Sequence, residues 1–200
     1  MTATPQPPYP AKKPLPRSRR RGWTRQEYER LTNMGFFGPE ERLELIEGEI
    51  VRKMPQNSPH ATGITLTADI LRPLIPTDHH LRIQLPLALS NHDEPEPDVA
   101  IVPGSPRAYS NAHPMTALLI VEVPDSSLAL DRATKTRIYA RAQIPEYWIL
   151  NLNDRQLEIH RNPIARLRPA YQTVTWHDAA QNVSPLFAPE LFIAVKDLLP

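Results

Sequence analysis

Two carboxylates occupy places where a packed core would be expected to hold none. Asp98 opens the apolar run of "EPEPDVAIV" (residues 94–102), and Glu122 is set inside "LLIVEV" (residues 118–123). The second run has no polar alternation, so it reads as a strand covered on both faces. An ionised carboxylate buried there without a partner is costly, or its pKa shifts upward. Each acid alone has an ordinary reading: Glu122 as half of a structural salt bridge, Asp98 as the end of a loop after Pro97. Together they admit another. On neighbouring strands the two carboxylates would lie a few ångströms apart and repel unless a cation stands between them. Two carboxylates with water in the remaining positions suit a hard cation such as Mg²⁺. Such an ion lowers the pKa of a bound water and stabilises charge on a phosphoryl oxygen.

Lys135, in "LDRATKTRIYARA" (residues 130–142), is the third candidate. Asp131 and Lys135 are four apart, the spacing of a common surface ion pair of small energetic value. A lysine pointing back over the strand ends would instead polarise the attacking water or help deprotonate it. On the sequence both readings stand.

Positioning these groups requires a sheet with helices packed on it. "WTRQEYERLTNMG" predicts a short helix from residue 23, with Thr24 and Glu27 at capping-box spacing and Gly35 as its stop. "RLELIEGEIVRKMP" predicts a hairpin turning at Glu47-Gly48. In that register Glu44 shares a face with Ile46, Glu49 and Val51. Residues 58–75 read as a helix with Ser58 as cap and Pro59 at its first position. Strands are predicted at 80–89, 98–102, 117–123, 146–152, 156–161 and 170–176, and a second helix at 131–142. This order defines an α/β (α+β) domain with a mixed central sheet.

Two hundred residues suit one domain, and the absence of cysteine removes disulfides and thiolate metal sites. No apolar run has the length of a membrane span, and the first residues lack the apolar centre of a signal peptide. A soluble, cytoplasmic protein is expected, with no membrane partner. The net charge of +1 hides an asymmetry. Residues 1–22 hold six basic residues, six prolines and no acid, which predicts a disordered basic tail, and 23–200, the folded domain, carries a net −5. Arg132, Arg137 and Arg141 read either as phosphate contacts or as a solvated helix face. His60 reads as a capping or surface residue, with the cleft as the other option. No histidine spacing suggests zinc, and no nucleophile elbow, phosphate loop or dinucleotide fingerprint is present.

Three stretches together, "RLELIEGEIV", "EPEPDVAIV" and "LLIVEVPDSSLALDRATKTRIYARAQIPEYWILNL", resemble the Uma-two family of restriction endonucleases. That family belongs to the PD-(D/E)XK, restriction-endonuclease-like superfamily. The resemblance runs from about Trp23 to near the C-terminus. It implies a restriction-endonuclease-like core in which Pro97-Asp98 is the "PD" element and Glu122 the second acid. It also implies a metal held by Asp98, Glu122 and the carbonyl of Val123. The motif's lysine would ordinarily lie two residues after the second acid, where this chain has Pro124, so the resemblance implies that Lys135 on the following helix has taken its place. Glu44 matches a further acid of the family, which completes the metal site or holds a water; its other reading is an exposed hairpin residue. Gln143 and Asn151 stand where the family more often has glycine and aspartate.

The implied activity is a Mg²⁺-dependent endonuclease, with Mn²⁺ as a substitute ion, hydrolysing phosphodiester bonds of DNA and working as a homodimer. The alternative is a nuclease-fold module of weak or no catalysis that binds nucleic acid or a protein partner. A glycosidase with paired carboxylates ranks last, because the chain has only three tryptophans to build a sugar platform.

Overall fold

A computed structural model of the protein describes residues 21–38, 40–53, 55–124 and 127–200. The predicted basic tail therefore lies outside the described residues, except for Arg21 and Gly22. Helix α1 (Arg25–Asn33) starts at the expected capping box: the Thr24 hydroxyl accepts from the Glu27 amide, and the Glu27 carboxylate accepts from the Thr24 amide at 3.0 Å. Gly35, at φ +68°, takes the left-handed turn that stops it.

Strands β1 (Leu43–Ile46) and β2 (Glu49–Arg52) form the predicted hairpin. Glu47 and Gly48 both have positive φ, as a two-residue turn of the right twist requires. The hairpin is fixed to the rest of the domain by Leu45 and Glu94, which exchange both backbone hydrogen bonds (2.8 and 3.2 Å).

Helix α2 (Ser58–Leu71) departs from expectation at both ends. Its cap is Asn57, not Ser58: the Asn57 side chain accepts from the His60 amide at 3.0 Å. Pro73 lacks an N–H and clashes with the preceding turn, so the α-helix ends at Leu71 and a 3₁₀ turn (Arg72–Leu74) replaces its predicted last residues.

The central sheet has six strands in the order β3 (His79–Ile83), β4 (Val99–Pro103), β5 (Leu119–Glu122), β6 (Glu146–Asn151), β7 (Gln156–Ile164) and β8 (Ala170–Asp178). All neighbours are antiparallel except β5 and β6. That one parallel pair follows from the helical crossover joining the two strands. The predicted strand 80–89 stops at Ile83, because Gln84 adopts φ +51° and Pro86 cannot donate to a ladder.

The crossover is one continuous helical run in three parts: α3 (Leu128–Leu130), a π-helical turn (Asp131–Lys135) and α4 (Thr136–Arg141). The Thr136 hydroxyl donates to the Asp131 carbonyl five residues back at 2.9 Å, which supports the widened turn. A small ladder of β9 (Asn182–Val183) and β10 (Ile193–Ala194) and a short α5 (Val195–Leu198) close the chain.

Both faces of the sheet are covered. Val99, Ile101, Leu119, Val121, Trp148 and Leu150 pack under α2 and α5, while Ala100, Val102, Ile120, Tyr147 and Ile149 pack under α4 through Ile138 and Tyr139. This explains why the interiors of β4, β5 and β6 are apolar on both faces, with polar residues only at the strand ends (Glu122, Glu146 and Asn151). The result is the expected mixed α/β domain. Among the described residues, no helix is long and apolar enough to cross a membrane.

Candidate active site

The antiparallel register pairs Val99 with Val121. Asp98, just before β4, therefore falls opposite Glu122, the last residue of β5. The Val123 amide donates to Asp98 Oδ2 at 2.9 Å and fixes that end of the pair. Gln84 Nε2 donates to Asp98 Oδ1 at 3.1 Å, and His60 Nε2 lies 3.4 Å from the same oxygen. His60 thus faces the acids rather than solvent. Its helix can come this close because residue 63 is glycine: a Cβ there would approach Val123 Cγ1 to 3.1 Å.

Lys135 is buried, with 3% of its surface exposed, and the surface-pair reading fails. Its Nζ lies 2.9 Å from Glu122 Oε1, 3.4 Å from Glu44 Oε1 and 3.6 Å from Asp131 Oδ1. Glu44 is also buried, at 2% exposure, so the exposed-hairpin reading fails too. Its Oε2 accepts from the Glu96 amide at 3.1 Å. Asp131 joins the group because the π-helical turn carries both it and Lys135 inward. Ser127 Oγ holds one Asp131 oxygen at 2.7 Å. Tyr139, one turn after Lys135, donates to Glu122 Oε1 at 2.7 Å. Both of these bonds to Glu122 end on Oε1, and Oε2 accepts neither.

Charge is partitioned unevenly within this group. Burial pushes the Asp98 carboxyl up, but the His60 contact, the charge of Lys53 and the Val123 amide outweigh it and hold Asp98 well below the usual carboxylate range. Glu122 goes the other way: burial, with Asp98 and Asp131 nearby, pushes it up to about 8 despite Lys135. Burial alone would favour a neutral Lys135, yet Glu122, Glu44 and Asp131 raise it well above its ordinary value. The lysine is therefore a fixed cation.

Glu44, His60, Asp98, Glu122 and Lys135 line a cavity of about 240 Å³, together with Val51, Lys53 and Leu130. Among the described residues, no three Asp, Glu, His or Cys side chains are gathered closely enough to hold a metal ion by themselves. The available donors are nevertheless hard carboxylate oxygens. One or two carboxylates with water is a normal ligand set for Mg²⁺, so Asp98 and Glu122 fit such an ion in type and number.

The predicted phosphate contacts do not gather here. Arg132 pairs with Glu158, while Arg137 and Arg141 pair with Glu47, and Arg141 also reaches Asp93 at 3.4 Å. Gln143 sits at φ +58° just beyond α4, a helix-ending conformation that favours glycine. Asn151 is absorbed locally, bonding Asp154 at 2.8 Å.

Of the three acids in "EPEPD", only Asp98 faces this cavity. Glu94 and Glu96 line another, beside α1. Burial pushes the Glu94 carboxyl up to about 7, with Glu29 and Glu96 adding to the rise and Arg25 opposing it. The unfolded chain releases this proton near pH 4.5, while the folded chain keeps it to about pH 7. The folded state thus binds the extra proton in that window, and stability falls as pH rises through it. Glu94→Gln is expected to raise Tm by several degrees at pH 8 and to change it little at pH 4.5. Calorimetric melting across this range checks the sign, and an equal shift at both pH values would rule out the titration.

The helix-covered mixed sheet places Asp98 and Glu122 at facing strand ends. The protein shares this fold with a crystal structure from Anabaena variabilis ATCC 29413, described as a "putative nuclease belonging to DUF820". The TM-score is 0.67 at 19% identity, over 88% of this chain and 96% of that one. The sequence profile of the Uma2 family, described as "Putative restriction endonuclease", matches residues 25–196, and the chain belongs to that family. No curated protein matches it.

Proposed function

We propose that the protein is a divalent-metal-dependent endonuclease that hydrolyses phosphodiester bonds of DNA. The observation that carries this reading is the opposition of Asp98 and Glu122 across β4 and β5, with a charged Lys135 Nζ 2.9 Å from Glu122. Asp98 and Glu122, with the carbonyl of Val123, would hold Mg²⁺ or Mn²⁺. When bound, the ion supplies positive charge to a phosphoryl oxygen and lowers the pKa of a water.

The protein's own groups do the rest. Asp98, held ionised, is ready to accept a cation at any physiological pH. Lys135 keeps its proton among three acids, so it acts as a hydrogen-bond donor to developing negative charge rather than as a base. Glu44 holds Lys135 in place through Oε1 and the Glu96 amide through Oε2. Tyr139 fixes the Glu122 carboxylate. The same reading takes a homodimer as the working assembly and the cytoplasm as its compartment.

One observation favours a second reading, a nuclease-fold module that binds without cutting. Lys135 Nζ sits 2.9 Å from Glu122 Oε1, so this acid has a cationic partner within the chain itself. Incubating the protein with supercoiled plasmid and linear single-stranded DNA, in Mg²⁺, Mn²⁺ or EDTA, separates the two. Cleavage that needs metal supports the endonuclease; intact substrates in every condition favour the module.

A further inference from the structure

The cavity behind the "EPEPD" segment has a volume of about 440 Å³. Its walls come from Arg25, Tyr28 and Glu29 on α1, from Glu94 and Glu96, and from the turn ending at His113. Three polar atoms of these residues are buried without a hydrogen-bond partner: Arg25 Nε, Glu94 Oε2 and His113 Nδ1. Glu94 is only 4% exposed. Folded proteins rarely leave such atoms unpaired, and three around one cavity point to an occupant that pairs them.

The charges describe that occupant. Arg25 is balanced by Glu29 at 2.6 Å. Glu96 has the opposing charges of Lys53 and Arg42 beside it, and burial holds Glu94 toward its neutral form. Burial holds His113 toward its neutral form, helped by Arg82 and Arg25. Cations and anions thus nearly cancel, so neither a phosphate nor an ammonium is favoured. A neutral group with a donor beside an acceptor is favoured. The hydroxyls of Tyr28 and Tyr109 are already committed to the Leu43 and Pro103 carbonyls, at 2.9 and 2.6 Å, which fixes both rings as walls.

The two cavities share a partition. The Glu96 amide bonds Glu44 of the first cavity at 3.1 Å, its carbonyl accepts from Lys53, and its side chain lines the second. Asp98 lies four positions after Glu94, at most about 14 Å along the chain. That is roughly four nucleotides at the spacing of a duplex strand.

We infer that the second cavity receives an amino-bearing nucleobase (adenine, cytosine or guanine) from the strand whose phosphodiester is cut at the first. This inference rests on the nuclease reading. An exocyclic amine would donate to Glu94, and the neighbouring ring acceptor would take Arg25 Nε–H, the edge-on recognition that an unstacked base permits.

The test uses free nucleosides without metal, so it does not depend on cleavage. Adenosine, cytidine, guanosine and thymidine at millimolar concentration are titrated against the full chain. The readout is the imidazole signals of His113, assigned by their loss in His113→Phe. At least one amino-bearing nucleoside is expected to shift those signals, with thymidine at least tenfold weaker. Asp98→Ala should bind as wild type does, and Glu94→Leu about tenfold more weakly. Should no nucleoside bind, or thymidine bind equally well, the inference is overturned, and the wild-type titration alone decides this if a variant fails to fold. Nucleoside binding by a protein that cuts no DNA would retain the cavity and remove the nuclease reading instead.

Discussion

Asp98→Asn and Glu122→Gln are each expected to lower metal-dependent cleavage on the order of a thousandfold or more, the scale of several kcal/mol of lost charge stabilisation. The two variants should differ in stability, and the difference identifies the role of each acid. Asp98 receives the Val123 amide and Gln84 Nε2 and is held in its charged form. An asparagine can offer only one acceptor oxygen, and its NH₂ would face a donor, so Asp98→Asn should cost about 1–3 kcal/mol. Burial pushes Glu122 up to about 8, so its negative charge is weakly held, and a glutamine oxygen in its place can still accept from Lys135. It can also accept from Tyr139. Glu122→Gln should therefore melt close to wild type while losing cleavage. Plasmid-nicking rates and thermal melts on the same preparations provide both readouts. Wild-type cleavage by either variant would remove that acid from the metal site, and outright unfolding would make it structural.

Lys135→Met carries the largest expected effect on stability. The ammonium is the shared counter-ion of Glu44, Glu122 and Asp131, at 2.9 to 3.6 Å, and all four groups are buried. Removing one partner from such a cluster costs about 3–5 kcal/mol, because the remaining charges are left uncompensated. For a chain of this size that is about a 10 °C loss in Tm. Mn²⁺ should then restore Tm more in Lys135→Met than it raises it in wild type, since an added cation replaces the missing one. A variant that melts within 1 °C of wild type would mean that the lysine does not balance these acids.

Much of this was legible in the sequence for local reasons. The capping box, the Glu47-Gly48 turn and the apolar strands each follow from neighbours along the chain. The opposition of Asp98 and Glu122 follows once the two runs are paired. What could not be read depends on distant contacts. Glu44 is buried because the segment at Glu94–Glu96 folds over the hairpin, with Glu96 bonding it from 52 positions later. His60 faces Asp98 because Asn57, not Ser58, starts its helix and Gly63 lets that helix approach Val123. Arg137 and Arg141 are claimed by Glu47 at the hairpin turn, a pairing that only the folded crossover creates. The spacing of Asp131 and Lys135 was visible, but its burial depends on a π-helical turn that no periodicity announces.

That turn sets a limit on how the gene can vary. A helix advances about 100° with each residue, and the widened turn at Asp131–Lys135 holds the phase between the acids before it and the core residues after it. Shortening the stretch by one codon would let it relax to ordinary α-geometry. Lys135 would then keep its place only by turning Ile138 and Tyr139 away from the sheet, or the reverse. Side chains facing outward here, such as Ala133, are free to change. The number of residues is not, so insertions and deletions in this stretch should be purged even where every individual substitution is tolerated.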